Sequence, residues 1–438
     1  MYKNLSLFFV FMLFFCNAQQ KIYYADNFGF LPTQKAEINT ININKLLKSL
    51  KGGGVVKIRK AGTYYIKGQD SKTNYTDYLR DSGGIELQDN ISFILGPDVT
   101  LAQEPTSEKQ YNIIRVFDKK NVVIEGGQII GDRNDHQGIN GEWGYGIAIS
   151  GGANITIKNI TIKNLWGDGI NLQCVNYKDR DVLPNNIKIQ NVISTNNRRQ
   201  GMSIEGGTNI TVSSSEFSKS NGTQPESGVN IEPWYHKAIV DNVKFENCKF
   251  VDNNHAGLIG GGNAKISNIE VSNSEFRNNK ISGSSGGQCT FYRENSNINV
   301  KNCSFFKGKQ GSIYGVSFFD TFNSSIINNS FENCTFNLQG VQKSENVRII
   351  SNKVIFTENY NNEVLFMNHD RNEALFNKIS IIDNEIDLRK SPGLNYQFYF
   401  FFNNGELKNN KILQAKELKN KVFYKGKENK TQGNFFSK

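Results

Sequence analysis

The sequence predicts an all-β chain wound as a parallel solenoid with a capping helix at its N-terminus. Three observations carry this prediction. A short strand-like pattern recurs along most of the 438 residues, an Asn or Ser stands at the same place in each copy, and no long stretch between copies has helical periodicity. The copies read NITIKNITI to Ile162, NIKIQNVIS to Ser194, NITVSSSEF to Phe217, VKFENCKF to Phe250, NIEVSNSEF to Phe276, NINVKNCSF to Phe305 and SFENCTF to Phe336, with weaker ones near Asn352, Asn384 and Asn410. Their turn residues Asn159, Asn191, Ser214, Asn247, Asn273, Asn302 and Asn333 are 23 to 33 residues apart. Alternation over four to six positions gives each strand one apolar face, which a single coil cannot bury alone, so coils stack in parallel about 4.8 Å apart. Asn suits the corner because it tolerates left-handed backbone angles, and stacked Asn amides hydrogen-bond along the axis. Phe217, Phe250, Phe276, Phe305 and Phe336 are expected as an internal aromatic ladder.

In chain order, Lys3, the apolar run 7–15 and the stretch Cys16-Asn17-Ala18-Gln19 make residues 1–19 a secretory signal peptide. Lipidation of Cys16 is the weaker alternative, because the bulky Phe15 precedes it. The solenoid domain is then 20–438, with the cap and first strands in 20–60 and the last coils and a basic tail from about 406. In residues 41–50, Ile41, Ile43, Leu46, Leu47 and Leu50 have helical spacing, and a helix there covers the open end of the solenoid. No later run reaches the about 18 apolar residues of a spanning helix, so no transmembrane segment is expected and the chain is exported to the periplasm or beyond. Export excludes nucleic acid as the leading partner of a chain whose formal charge is +10. Five cysteines remain after cleavage, none in a CxxC or Cys/His cluster; buried free thiols are expected and a thiolate metal site is not.

The opening ADNFGF, the helix, GGGVVKI, GTYYIKG, GPDVTL, NVVIEGGQIIGDR and GYGIAISGGANITIKNITIKNLWGDGINL resemble the right-handed parallel β-helix superfamily of pectate lyases and family-28-type glycoside hydrolases. The resemblance covers about residues 25 to 350 and implies a right-handed parallel β-helix more firmly than it implies any one reaction. Polygalacturonase-like members carry an Asp before a Gly, an Asp pair one coil on, and Gly-His-Gly on the next. Aligned on a small residue followed by an inward apolar one (Gly146-Ile147, Gly169-Ile170, Gly201-Met202, Gly228-Val229, Gly257-Leu258), Asp168 matches the first Asp, but Arg199-Gln200 and Glu226-Ser227 replace the other elements. Only Asp168 is therefore transferred from the hydrolase pattern.

The same alignment sets outward residues in columns: Asn171, Ser203 and Asn230 two places after the small residue, Gln173, Glu205 and Glu232 four after, and Gly167, Arg199, Glu226 and His255 two before. The candidate catalytic set is Asp168, Arg199, Glu205, Glu226 and Glu232. The candidate substrate-binding set is Trp143, Trp166, Asn171, Gln200, Asn230, Trp234 and His255. Aromatic planes cover the apolar face of a pyranose while carboxylates and amides bind hydroxyls, which points to a polysaccharide substrate. Asp168 and Glu226, two coils apart, suit an inverting acid and base; Glu205 and Glu232, one coil apart, suit a retaining pair. Arg199 would clamp a uronate carboxylate or act as a base.

Hydrolysis by a carboxylate pair, Asp168 with a Glu, is the first expectation. The alternatives are β-elimination on an acidic glycan, with calcium held by Asp and Glu, and a surface solenoid that binds glycan without cutting it. Epimerisation is more remote, since no matching Tyr or His accompanies Asp168. No cofactor is expected for the hydrolase, and the oligomeric state and the sugar are not set by the sequence. Each acidic residue also has a plainer reading as a solvated surface group, Glu232 as a loop cap before Pro233, and Arg199 as an ordinary ion-pair partner. Removing residues 1–19 takes away only Lys3, leaving about +9, and this basic excess lies mainly outside the acid-rich columns.

Overall fold

Parallel pairing of each coil with the next generates the architecture. The computed structural model describes residues 20–436 apart from 70–82, 178–179, 236, 281–285, 293–294, 341–342, 361–362, 366, 370–375 and 415–421. Residues 1–19, expected as a signal peptide, lie outside the described residues. Among the described residues, successive coils add one strand each to an eleven-stranded parallel sheet and further strands to a larger sheet running the length of the solenoid. One coil, for example, comprises Gln200–Ile204 in the first sheet, then Gly207–Ser213 and Glu216–Ser218 in the second, before the next coil starts at Val229–Ile231. All seven expected turn residues have φ between 49° and 57°, where Asn is tolerated better than branched residues. Asn191 donates to Asn159 at 2.9 Å, as the amide stacking predicts.

Like residues stack on like. Ile155, Ile187, Ile210, Val243, Ile269 and Ile298 form one unbroken inward column on the larger sheet. The aromatic ladder runs Phe217, Phe250, Phe276, Phe305 and Phe331, with ring centroids 4.5 to 5.9 Å apart. Phe331 thus takes the place expected for Phe336, which stands on the eleven-stranded sheet and meets Phe331 edge-on at 5.4 Å. The segment NNSFENCTF contains two N-x-x-F frames five residues apart, and stacking selects the first: Asn328, not Asn333, donates to Asn302 at 2.7 Å, a step of 26 residues. Asn333 occupies a different corner and donates to Thr357 at 2.9 Å. A buried Asn ladder not foreseen from the repeat closes another corner. Asn352 Nδ2 donates to the Ile326 carbonyl at 2.8 Å while its Oδ1 accepts from the Asn329 backbone N–H at 3.0 Å.

The capping helix is Ala36–Ser49, beginning five residues before the pattern that announced it. Ile43, Leu46, Leu47 and Leu50 are buried at i, i+3, i+4, i+7 spacing, whereas Ile41 is 54% exposed because it falls about 200° around the helix from Ile43. Cys248, Cys303 and Cys334 are free and buried as expected, at corners immediately before strands. Burial pushes the Cys248 thiol up to about 11 and the Cys303 thiol to about 12, leaving both as inert packing groups. Among the described residues no helix is long and apolar enough to cross a membrane.

Candidate functional site

Backbone pairing aligns Ile147, Ile170, Met202, Val229 and Leu258 in one column, the register expected from the small-apolar frame. The glycines preceding them are required by the stacking itself. A Cβ on Gly201 would lie 2.5 Å from the Gly228 carbonyl oxygen, and one on Gly228 equally close to that of Gly257. Asn171, Ser203 and Asn230 follow in register on the opposite face of the strands.

Arg199 is the centre of the arrangement. Its Nη1 donates to Asp168 Oδ2 at 2.9 Å and its Nη2 to Glu232 Oε1 at 2.9 Å, while Nε is 3.8 Å from Glu142 Oε2. Ser203 Oγ lies 2.9 Å from Asp168 Oδ2 and 3.1 Å from Glu232 Oε1, so its single proton serves one carboxylate at a time. Glu232 also accepts from Gln200 Nε2 at 2.9 Å and, on its other oxygen, from Trp234 Nε1 at 3.0 Å. Asn171 Nδ2 donates to Glu205 at 2.8 Å. Asp168 Oδ1 and Asn171 Oδ1 are buried without a partner among the described residues.

Burial pushes the Asp168 carboxyl up to about 6, with the Arg199 charge pulling against it. Burial also pushes Glu205 up to about 7, reinforced by the neighbouring Glu232 charge. Burial would lower Arg199, but Asp168 and Glu232 outweigh it and hold the guanidinium charged. A calcium ion bound by these carboxylates would need their oxygens to converge on it; they converge on the guanidinium instead. Among the described residues no group of three His, Cys, Asp or Glu is placed to hold a metal ion. The side chains present therefore do not fit the calcium that accompanied the elimination reading.

Beside this network opens a cleft of about 870 Å³. Glu142, Arg199, Asn230, Glu232 and Trp234 line it at one end, Gln224 and Pro225 contribute a wall, and Ile259, Tyr292, Phe319 and Asp320 line it at the other end. Trp234 is 57% exposed, and the Tyr292 and Phe319 rings stack at 4.4 Å. Tyr292, Phe319, Asp320, Glu142 and the bridging role of Ser203 were not foreseen. Extending the small-apolar frame to Gly315-Val316 places Phe319 in the column of Glu232, and the pairing Leu258, Cys289, Val316 puts Tyr292 there too. The signal faded because Gln288 replaces the small residue before Cys289.

Four expected site residues are directed elsewhere. Glu226 has a left-handed backbone (φ 57°) and turns to its own loop, accepting from the Gly222 N–H and from Asn254 Nδ2, the latter at 2.6 Å. Both of its carboxylate oxygens are thus taken up by loop contacts. His255 Nδ1 is 3.1 Å from Ser227 Oγ, and burial lowers its pKa. Trp166 is only 9% exposed, with the His136 ring stacked at 3.8 Å and the Arg198 guanidinium 3.9 Å from its centroid, so it is a packing residue rather than an open platform. Trp143 opens the strand Trp143–Ser150 and does not line the cleft.

A family model described as a right handed beta helix region matches residues 65–242 and 237–379. Two relatives from Bacillus subtilis (strain 168) are similar in sequence. The uncharacterized protein YclG is 32% identical over 250 residues, 52% of this chain and 41% of that protein. The SPbeta prophage-derived uncharacterized protein YorA is 24% identical over 202 residues, 42% of this chain and 34% of that protein. The match thus spans less than half the length of either relative. Among solved structures, the A-module of mannuronan C-5 epimerase AlgE6 from Azotobacter vinelandii is similar with a TM-score of 0.56 at 13% identity, covering 95% of this chain and 99% of the other. The Streptococcus pneumoniae surface protein and adhesin PfbA gives 0.53 at 13% identity, with 95% and 100% covered. The family 28 exopolygalacturonase of Yersinia enterocolitica gives 0.52 at 12% identity, with 96% and 79% covered. At these identities the likeness is one of fold. With its stacked coils and a family match running from residue 65 to 379, this chain belongs to the right-handed β-helix family.

Proposed function

We propose that this protein is an exported glycoside hydrolase that cuts a polysaccharide lying in the cleft, with Glu205 as proton donor and Glu232 as the partner carboxylate. The observation that carries this reading is the contrast between two carboxyls in one column. Glu205 and Glu232 follow the paired positions Ile204 and Ile231 on adjacent strands, a rung spacing of about 4.8 Å that suits the about 5 Å of a retaining pair. Glu205 holds its proton to about pH 7, as an acid catalyst must. Glu232 is oriented on both oxygens by Arg199, Gln200 and Trp234. In the first step Glu205 would protonate the glycosidic oxygen while Glu232 attacks the anomeric carbon. In the second, water would release the sugar with Glu205 now accepting the proton. Asp168 is fully buried and touches no open space, so its role is positioning, through Arg199 and Ser203.

The signal-like segment 1–19 and the fold shared with an exopolygalacturonase and a mannuronan epimerase support the reading. Elimination with Arg199 as base is disfavoured, because that guanidinium is held between two carboxylates. The test is a panel of soluble polysaccharides read for new reducing ends and for near-ultraviolet absorbance. Reducing ends without absorbance, lost in both Glu205→Gln and Glu232→Gln, are expected, with retained anomeric configuration by proton NMR. An unsaturated product would assign a lyase instead. Binding with no new chain ends would assign a solenoid that only holds glycan, as the fold shared with PfbA, named as an adhesin, also allows.

A further inference from the structure

The cleft carries a charge opposite to that of the chain, and this bears on which glycan it accepts. Among the described residues, the charged side chains lining it are Glu142, Glu232, Asp320 and Arg199. Arg199 is consumed from within: its donors reach Asp168 and Glu232 at 2.9 Å each, and Glu142 is 3.8 Å from its Nε. Beside the lining, the half-buried Glu205 and the buried Asp168 add further acidic groups, and the cation acting on both is Arg199 itself. A uronate or sulfate group entering here would lose its water among carboxylates and meet a guanidinium whose charge two carboxylates already share and whose Nε, though without a hydrogen-bond partner, is buried. The far end offers Ile259 and the Tyr292–Phe319 stack, apolar surface matched to a sugar ring rather than to an anion. From the rung of Asn230 through Ile259 and Thr290 to Ser317 is three steps, about 14 Å along the axis, room for several sugar units.

Building on the hydrolase reading, we propose that the cleft selects a glycan without anionic groups, neutral or amine-bearing, and rejects polyuronates. The basic exterior still attracts polyanions, but away from the cleft and in a salt-sensitive manner. Selectivity therefore separates from overall binding.

Trp234 reports on the cleft directly, being half-exposed and bonded to Glu232. Its fluorescence, taken as the difference between wild type and Trp234→Phe, is quenched with acrylamide in 200 mM NaCl with a soluble neutral β-glucan, chitosan oligomers, polygalacturonate or alginate present. Shielding by the glucan or chitosan and none by the two polyuronates is expected, together with polyuronate binding to the whole protein that falls away between 20 and 200 mM salt. Glu142→Lys, at a side chain more than one-third exposed, should raise polygalacturonate affinity in the cleft by about tenfold, as expected when a local repulsion becomes an attraction. Shielding of Trp234 by polygalacturonate or alginate in the wild type at 200 mM salt overturns the proposal and leaves the hydrolase reading standing. If no glycan of either class shields Trp234, the polysaccharide cleft itself is refuted, and the proposal with it.

Discussion

Replacing Arg199 by Met strands two buried carboxylates. The side chain of Asp168 is fully buried and those of Glu232 and Arg199 are 5% and 11% exposed, so solvent cannot screen the loss. Removing one member of such a buried ion cluster costs about 3–5 kcal/mol, mostly from the uncompensated charge left behind. With an unfolding entropy of about 2.1 cal/mol/K per residue, the roughly 400-residue solenoid should melt about 3–6 °C lower. The loss depends on pH in a defined direction. Folding raises the Asp168 pKa from 3.8 to about 6, so the folded state binds that proton more tightly. Stability from this group is greatest below 3.8 and is lost as pH climbs through about 6. Without Arg199 the downward pull on Asp168 disappears and the window extends upward, so the variant should lose more at pH 8 than at pH 5. The triple variant Asp168→Asn, Arg199→Met, Glu232→Gln carries no stranded charge and should recover most of the deficit. Scanning calorimetry of the three proteins at both pH values measures this. Equal melting of the single and triple variants, or an Arg199→Met protein within 1 °C of wild type at pH 8, would refute the central role given to the guanidinium.

Activity on the substrate found by the panel should fall as pH rises through about 7, because Glu205 must be protonated to act as acid, which the wild-type pH-rate profile checks. Phe276 stacks between Phe250 at 4.5 Å and Phe305 at 4.7 Å, so Phe276→Ala should cost about 3–5 kcal/mol, read as a lower denaturation midpoint. Asn352→Leu removes the acceptor of the buried Asn329 N–H and should cost about 1–3 kcal/mol, with faster hydrogen exchange at Asn329. Glu226→Gln alters a loop brace, not the reacting pair, so the maximal rate should stay close to wild type, checked by steady-state kinetics.

The fold was legible because a solenoid is nearly one-dimensional: each coil contacts only its neighbours, so a local repeat states the tertiary register directly. The frame of Gly146, Gly169, Gly201, Gly228 and Gly257 yielded the observed pairing of Ile147 through Leu258, and with it the columns holding Ser203, Glu205 and Glu232. The reading failed where Gln288 interrupts the frame, where two frames overlap, at Phe331 and Phe336, and where the repeat does not reach, at Ile41 in the cap. A column states which residues are neighbours but not where a long side chain points. That depends on backbone angle and on the loops between coils: the left-handed Glu226 faces Gly222 and Asn254, Arg199 reaches between Asp168 and Glu232, and Trp166 packs against His136 and Arg198. The composition established a basic chain, whereas three-dimensional placement alone gathered acids of the described residues into the cleft around Arg199, already paired with two carboxylates, since charge is summed over a sequence but acts over a few ångströms.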